Sequence, residues 1–196
     1  DDPRTALSAL DHFLLGEYYR TQTAGGEDKT AKTSAPRPQR EAISRALEEY
    51  RQSLRLDPQH YWAQFQLGRC YLSLGRGPEA VQALGACVAL RPAAPWAYST
   101  RGLTYGLLGQ FADAHADLNQ ALRLDPNFNP ARLHRGFVLW LQNRPAEALA
   151  DFDAVLQSPA ARRLIEAAWY RAQVHFERSA WSPALEDCTA VIDQRP

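Results

Sequence analysis

Histidines, cysteines and serines with base partners are the residues through which this 196-residue chain could do chemistry, and their spacing decides which chemistry is open to them. The five histidines, His12, His60, His115, His134 and His175, fall at irregular intervals. No two stand at i, i+4 with a third ligand nearby, so they assemble no metal site. Cys70, Cys87 and Cys188 are odd in number and contain no CxxC, which argues against a disulfide framework and a zinc site. They occupy small-residue positions on helices, where free cysteine acts as a small hydrophobe. HExxH, GxxxxGK[ST] and GxGxxG are absent. No serine, cysteine or lysine has a recognisable base partner. The chain therefore reads as non-enzymatic, with no catalytic residue, no metal and no cofactor.

Composition narrows the remaining classes. Lys plus Arg and Asp plus Glu are both 22, so the formal charge is zero, unlike the basic surface of a nucleic-acid reader. No stretch approaches the roughly 18 apolar residues of a membrane span. A hydrophobic content of 45% is that of a globular chain. There is no methionine and the chain opens Asp1-Asp2-Pro3-Arg4, which fits an excised fragment of a larger multidomain protein. Without a signal peptide in view, the expected location is cytoplasmic.

What must position any functional residue is a repeat. Ala46, Ala80, Ala114, Ala148 and Ala184 are separated by 34, 34, 34 and 36 residues. Gly68, Gly102 and Gly136 share the step, as do Pro58, Pro92 and Pro126, with Leu56, Leu90 and Leu124 two residues ahead of the prolines. Apolar residues at three- and four-residue spacing over 61–76 and 95–109 predict helices. Gly75, Gly109 and Asn143 suit the left-handed residue that ends a helix. Gly68, Gly102 and Gly136 lie inside helices at a cost of about 1 kcal/mol each. The expected reason is close approach of the partner helix at its alanine.

Residues 61–94 carry Leu67-Gly68, Tyr71, Leu74-Gly75, Ala80, Leu84, Cys87 and Pro92. This unit resembles the 34-residue tetratricopeptide repeat (TPR). Residues 95–128, 129–162 and 165–196 repeat the pattern, the last one degenerate in its first helix. Leu15-Gly16 and Tyr19 open a first unit, about residues 5–60, whose second half returns at Ala46, Tyr50 and Pro58. It is split by an insert near 21–38, rich in Thr, Gly, Pro and Lys, that reads as a flexible loop. The resemblance implies an all-α fold, a right-handed TPR solenoid of about five helix-turn-helix repeats forming one array over 1–196. The phrasing around Trp96-Ala97-Tyr98 and Arg101-Gly102-Leu103 is similar to bacterial TPR arrays that extend multidomain signalling proteins, some with Ser/Thr kinase domains.

A second regularity lies outside that pattern. Arg101, Arg135 and Arg171 precede the Gly/Ala position, and Asp117, Asp151 and Asp187 follow each by 16 residues. The second unit has neither charge, carrying Leu67 and Ala83 instead. Charges that appear and vanish together predict an Arg–Asp pair joining the two helices of one repeat; three solvated charges are the alternative.

The resemblance also implies a concave groove lined by the first helix of each unit. Its positions fall here on Trp62, Phe65 and Arg69, then Trp96 and Thr100, then His134, Phe137 and Trp140, then Trp169 and Tyr170. These form the candidate peptide-binding set, and they include four of the five tryptophans. Packing between neighbouring first helices is the competing use of each ring. The carboxylate clamp of chaperone-tail-binding TPR domains does not match, since its places hold Phe65 and Arg69, then Thr100, then Pro130 and His134. The expected role is a protein-protein interaction scaffold taking a protein or peptide partner, with self-association through the C-terminal repeat; a structural segment or an appendage of an enzyme outside this chain are the alternatives. Trimming the insert to a short turn is expected to leave thermal stability nearly unchanged, because loop closure costs only about 0.6 kcal/mol per doubling of length.

Overall fold

The computed structural model describes residues 7–21, 37–158 and 165–193, which form ten α-helices and no strand. They are α1 (Ala9–Thr21), α2 (Arg37–Leu56), α3 (Tyr61–Ser73), α4 (Gly77–Leu90), α5 (Pro95–Leu107), α6 (Phe111–Leu124), α7 (Asn129–Leu141), α8 (Pro145–Gln157), α9 (Ile165–Glu177) and α10 (Trp181–Asp193). The five pairs are the five repeats read from the sequence. Most of the expected insert lies outside the described residues, as does Pro196; α2 already begins at Arg37.

Local chemistry sets the helix ends. Proline occupies the first turn of α4, α5, α7 and α8, where its missing N–H costs nothing. His60 caps α3 by accepting a hydrogen bond from the Ala63 N–H. Gly75 and Gly109 end α3 and α5 at φ of +73° and +74°, and Asn143 and Ser179 hold the same place at φ of 57°. Asn tolerates that conformation through its short polar side chain, whereas Ser179 is the strained member of the series.

The chain divides into two compact units, residues 1–92 and 93–196. In the first, α1 packs on α2, α2 on α3, and α3 on α4. Ile43, Ala46, Leu47, Tyr50, Ala63, Leu67 and Ala80 form its core. Glu17 of α1 ties three helices together. It accepts hydrogen bonds from the Tyr50 hydroxyl of α2 (2.6 Å) and the Gln66 amide of α3 (2.8 Å), and from Arg20 of its own helix. Burial pushes Glu17 up, but the hydrogen bonds from Arg20, Tyr50 and Gln66 outweigh it and hold the carboxyl below its ordinary range. Burial, then Glu17 itself, push the Tyr50 phenol well above its ordinary range.

In the second unit, α5 with α6, α7 with α8 and α9 with α10 are antiparallel pairs, and α6, α7, α8 and α9 pack in succession. Ala114, Leu118, Ala121, Ala131 and Val138 form one core cluster, and Ala148, Phe152, Val155, Ala167 and Val174 the next. The helix-interior glycines correct the sequence reading in part. A Cβ on Gly68, Gly102 or Gly136 would meet the side chain of Leu84 (2.7 Å), Leu118 (2.8 Å) or Phe152 (2.6 Å), four residues past the alanine. Glycine is needed because a large side chain of the partner helix lies over it, with the helix backbone behind at Gly102, 3.1 Å from the Ala114 carbonyl.

All three Arg–Asp pairs join the two helices of one repeat. Arg101 donates from Nε and Nη2 to Asp117 (2.6 and 2.8 Å), Arg135 likewise to Asp151 (2.7 and 2.7 Å), and Arg171 to Asp187 (2.9 and 2.5 Å). The three aspartates are buried. The remaining Nη1 does what the spacing did not announce. In Arg135 it donates to Asn119 (3.0 Å) and in Arg171 to Asp153 (2.5 Å), each on the preceding repeat two residues past its aspartate.

Two outcomes follow from these networks. Asp151→Ala should cost about 2–3 kcal/mol in urea unfolding, since it strands a half-buried guanidinium, whereas Glu147→Ala, which breaks the exposed Arg144–Glu147 pair, should leave the unfolding midpoint nearly unchanged. Because Glu17 is held below its unfolded value, its contribution is full above about pH 4.5 and is lost as pH falls through the folded value. Glu17→Gln should lower stability at neutral pH and flatten its decline below about pH 4.5, read from unfolding midpoints across that range.

Candidate functional site

The first helices of the second unit lie side by side, α7 between α5 and α9. At 3.6 residues per turn, positions two apart point about 200° apart. Arg135 and Arg171 are turned into the helix pairs, so Phe137 and Trp169 are turned away from them. These rings gather into one cluster. Phe137 lies 5.0 Å from Tyr170 and 5.9 Å from Trp140, and Trp140 lies 6.2 Å from Tyr170 (centroid distances). Trp169 sets its ring against Tyr170 edge-on at 5.1 Å. Tyr170 also stacks on buried Phe152 at 5.9 Å, which roots the cluster in the core. The Trp140 indole N–H donates to Glu177 (2.7 Å), fixing that ring across α7 and α9. Trp169 is 46% exposed; Phe137, Trp140 and Tyr170 are half-buried.

The other predicted positions behave differently. His134 is bonded through Nδ1 to the Ser99 carbonyl (3.1 Å) and hydroxyl (2.9 Å) of α5. Both contacts hold this ring nitrogen against α5. The Thr100 hydroxyl donates to the Trp96 carbonyl of its own helix. Trp96 is exposed and meets the edge of Phe128 at 4.6 Å, away from the four-ring cluster. In the first unit, Trp62 is exposed but Phe65 is buried, with its ring parallel to that of Tyr61 and edge-on to Trp62. Phe65 is thus a packing residue rather than a contact surface. Arg69 is exposed and donates to Gln66 (3.2 Å). The sequence reading left Glu177 out of its set, although it sits on a groove position of α9; an acidic residue near a tryptophan one repeat earlier is the signal that points to it.

Features outside this face are committed to structure. An open cleft of about 490 Å³ between α6, α7 and α8 is lined by His115, Asn119, Arg135, Arg144, Glu147 and Asp151. Its arginines are paired with Asp151 and Glu147, and His115 bonds Gln142 (2.6 Å). Burial pushes the Cys70 and Cys87 thiols up to about 12, so both stay protonated and unreactive at neutral pH. Cys188 departs from the expected packing role: it is exposed, on a face of α10 that no other described helix covers. Among the described residues no three His, Cys, Asp or Glu side chains cluster to hold a metal, and no helix is long and apolar enough to cross a membrane.

Comparison with known proteins agrees with this architecture. Tetratricopeptide-repeat family models match residues 39–98 and 95–128. No curated protein matches. Among solved structures, TTC0263, a thermophilic TPR protein of Thermus thermophilus, is 21% identical with a TM-score of 0.79 over 96% of this chain and 92% of its own. YrrB, a TPR protein with an unusual peptide-binding site, is 20% identical with a TM-score of 0.57 over 95% of this chain and 86% of its own. The first TPR of Spaghetti (RPAP3), bound to the HSP90 peptide SRMEEVD, is 21% identical with a TM-score of 0.56 over 71% of this chain and 94% of its own. At these identities the structures speak for the fold alone; together with the matched repeats and five helix pairs whose second-helix alanines recur at 34 to 36 residues, they make the chain a tetratricopeptide-repeat protein.

Proposed function

We propose that the chain is a non-catalytic protein-interaction module, and that the first-helix face of the second unit binds a peptide segment of a partner protein through apolar anchors. The observation that carries this is the four-ring cluster of Phe137, Trp140, Trp169 and Tyr170, rooted on Phe152 and topped by a half-exposed tryptophan. Rigid aromatic rings with fixed orientations lose little entropy on binding and make effective anchors. Trp96, Thr100 and His134 lie on the same first helices, α5 and α7, and would meet residues of the ligand beyond the anchor. Trp62 and Arg69 are proposed for the first-helix face of the first unit by itself; Phe65 drops out there because it is buried.

An acidic tail such as the SRMEEVD peptide of the RPAP3 structure is a poor fit here. The arginines of the three first helices are all engaged: Arg101, Arg135 and Arg171 with aspartates, and Arg132 with the Pro126 carbonyl. An apolar anchor bound to rings should show weak salt dependence.

A peptide-library screen should therefore enrich sequences with a large apolar residue. Trp169→Ala or Trp140→Ala should weaken their binding by about 2 kcal/mol, roughly thirtyfold in Kd, with little change between low and physiological salt. Binders that lose no affinity in both variants would show that the rings serve packing and that the array is a scaffold.

A further inference from the structure

The bond from Trp140 to Glu177 joins α7 to α9, yet stacking of first helices does not require it. At the preceding junction, α5 with α7, the places of Trp140 and Glu177 hold Gly106 and Leu141. Those residues can form no such bond, and α5 and α7 pack side by side without it. On α9 the place of Trp140 holds Phe176, again without a donor. The bond stands instead where Phe137, Trp140 and Tyr170 come together, which points to a role in the ring cluster rather than in the array.

Its chemistry does two things there. An indole N–H held at 2.7 Å by a carboxylate on the neighbouring helix restricts the torsions of the Trp140 side chain, so the ring is set before any ligand arrives. The same bond takes up the donor that Trp140 could otherwise offer to an acceptor on a ligand. The carboxylate also leaves a negative charge at the rim of the rings. Glu177 is exposed, and among the described residues no cation pairs with it. The groove positions of α5, α7 and α9 hold no Lys or Arg, and their other carboxylate is Glu166. Glu166 is felt by the same cluster: burial first, and then the Glu166 charge, raise the Tyr170 phenol above its ordinary range. Rings bounded by negative charge, with the nearby arginines already bonded to aspartates, are built to turn an anion away.

We infer that Glu177 determines the specificity of this face: its carboxylate positions the Trp140 ring for an apolar group and rejects ligands that carry an anion beside that group. The ligand class is thereby a peptide segment whose apolar anchor has no Asp, Glu or terminal carboxylate next to it. The inference rests on the proposed binding of an apolar anchor to these rings, and adds the charge that such a ligand must lack and the residue that enforces it.

Two dyes of one aromatic skeleton test it: uncharged N-phenylnaphthylamine and its sulfonate, anilinonaphthalene sulfonate. Fluorescence titrations are read as the component of dye binding that Trp140→Ala removes. Glu177→Ala should weaken the uncharged dye roughly threefold, because the ring is no longer held, and Glu177→Gln, which keeps an acceptor for the indole, should restore it. Glu177→Gln should at the same time strengthen the sulfonate dye roughly fivefold, because it removes only the charge, and high salt should narrow the gap between the dyes in the wild type. In nitrogen–proton correlation spectra the Trp140 indole signal should move in Glu177→Ala and hold its place in Glu177→Gln. Glu177 is exposed, so circular dichroism should show unchanged helix content in both variants. An uncharged dye bound equally well by wild type and Glu177→Ala would overturn the positioning role, and an unchanged ratio between the dyes in Glu177→Gln would overturn the exclusion of anions; in either case loss of dye in Trp140→Ala leaves the peptide reading standing. If Trp140→Ala removes no binding of the uncharged dye, the rings receive no apolar group, and the peptide reading and this inference fall together.

Discussion

The bidentate Arg–Asp bond between the two helices of a repeat is the constraint on which the second unit depends. A packed helix pair has freedom to rotate about each axis at little hydrophobic cost, because apolar contacts are non-directional. A guanidinium held by two parallel hydrogen bonds to one buried carboxylate removes that freedom, since it specifies both distance and orientation. Three successive first helices carry this bond at one register, so their remaining faces are set to one register as well. The aromatic face follows from that. Phe137 stands two residues after Arg135 and Trp169 two residues before Arg171, both turned from the bonded side. Lysine would not substitute, because a single ammonium lacks the planar fork and the Nη1 that reaches Asn119 or Asp153 of the preceding repeat. One side chain thereby fixes the helix pair and its stacking on the repeat before it.

The first unit solves the same problem without that bond. At the positions of the Arg and Asp, the second repeat carries Leu67 and Ala83, both buried. Well-packed apolar residues can replace a buried ion pair with little loss, because the pair's attraction is largely offset by its desolvation. In the first repeat, Leu15 holds the Arg place and Glu49 the Asp place; Glu49 turns instead to His12, three residues earlier on α1 (2.6 Å). Orientation there comes from Glu17, whose carboxylate gathers Tyr50, Gln66 and Arg20. The first unit therefore answers to acid through Glu17. A carboxyl held low by neutral and charged donors loses its contribution on protonation. That dependence attaches to α1, which carries Glu17.

Helix number, order and pairing were legible in the sequence because they rest on period alone: the 34-residue step, the Gly or Asn at three of the turns and the proline that follows three of the second helices are local signals. The Arg–Asp bond was legible for a related reason, since two charges appearing and vanishing together at constant separation imply mutual contact. What could not be read depends on how one helix is rotated against another. Phe65 lies on a groove position by count, yet it is turned inward beside Tyr61, while Trp62 three residues earlier stays exposed. The side chain over Gly102 is Leu118 rather than Ala114, a difference of one helical turn that no period reports. Asn119 and Asp153 were missed because their partners lie one repeat on, where the spacing changes from 16 to 18 residues.

The division of labour between charge and ring follows from these placements. The arginines of the second unit's first helices are spent within the fold, against aspartates or a carbonyl, and Glu177 against an indole. A carboxylate ligand would have to compete with partners already bonded at short distance, and displacing Asp151 or Asp187 would strand a buried charge. The rings carry no such commitment on their outer faces. Tyr170 gives one face to Phe152 and its edges to Phe137 and Trp169, and Trp169 leaves nearly half its surface to solvent. Covering that surface with an apolar ligand group removes it from water without breaking any bond of the fold, which is why recognition on this face falls to shape and apolar contact rather than to charge.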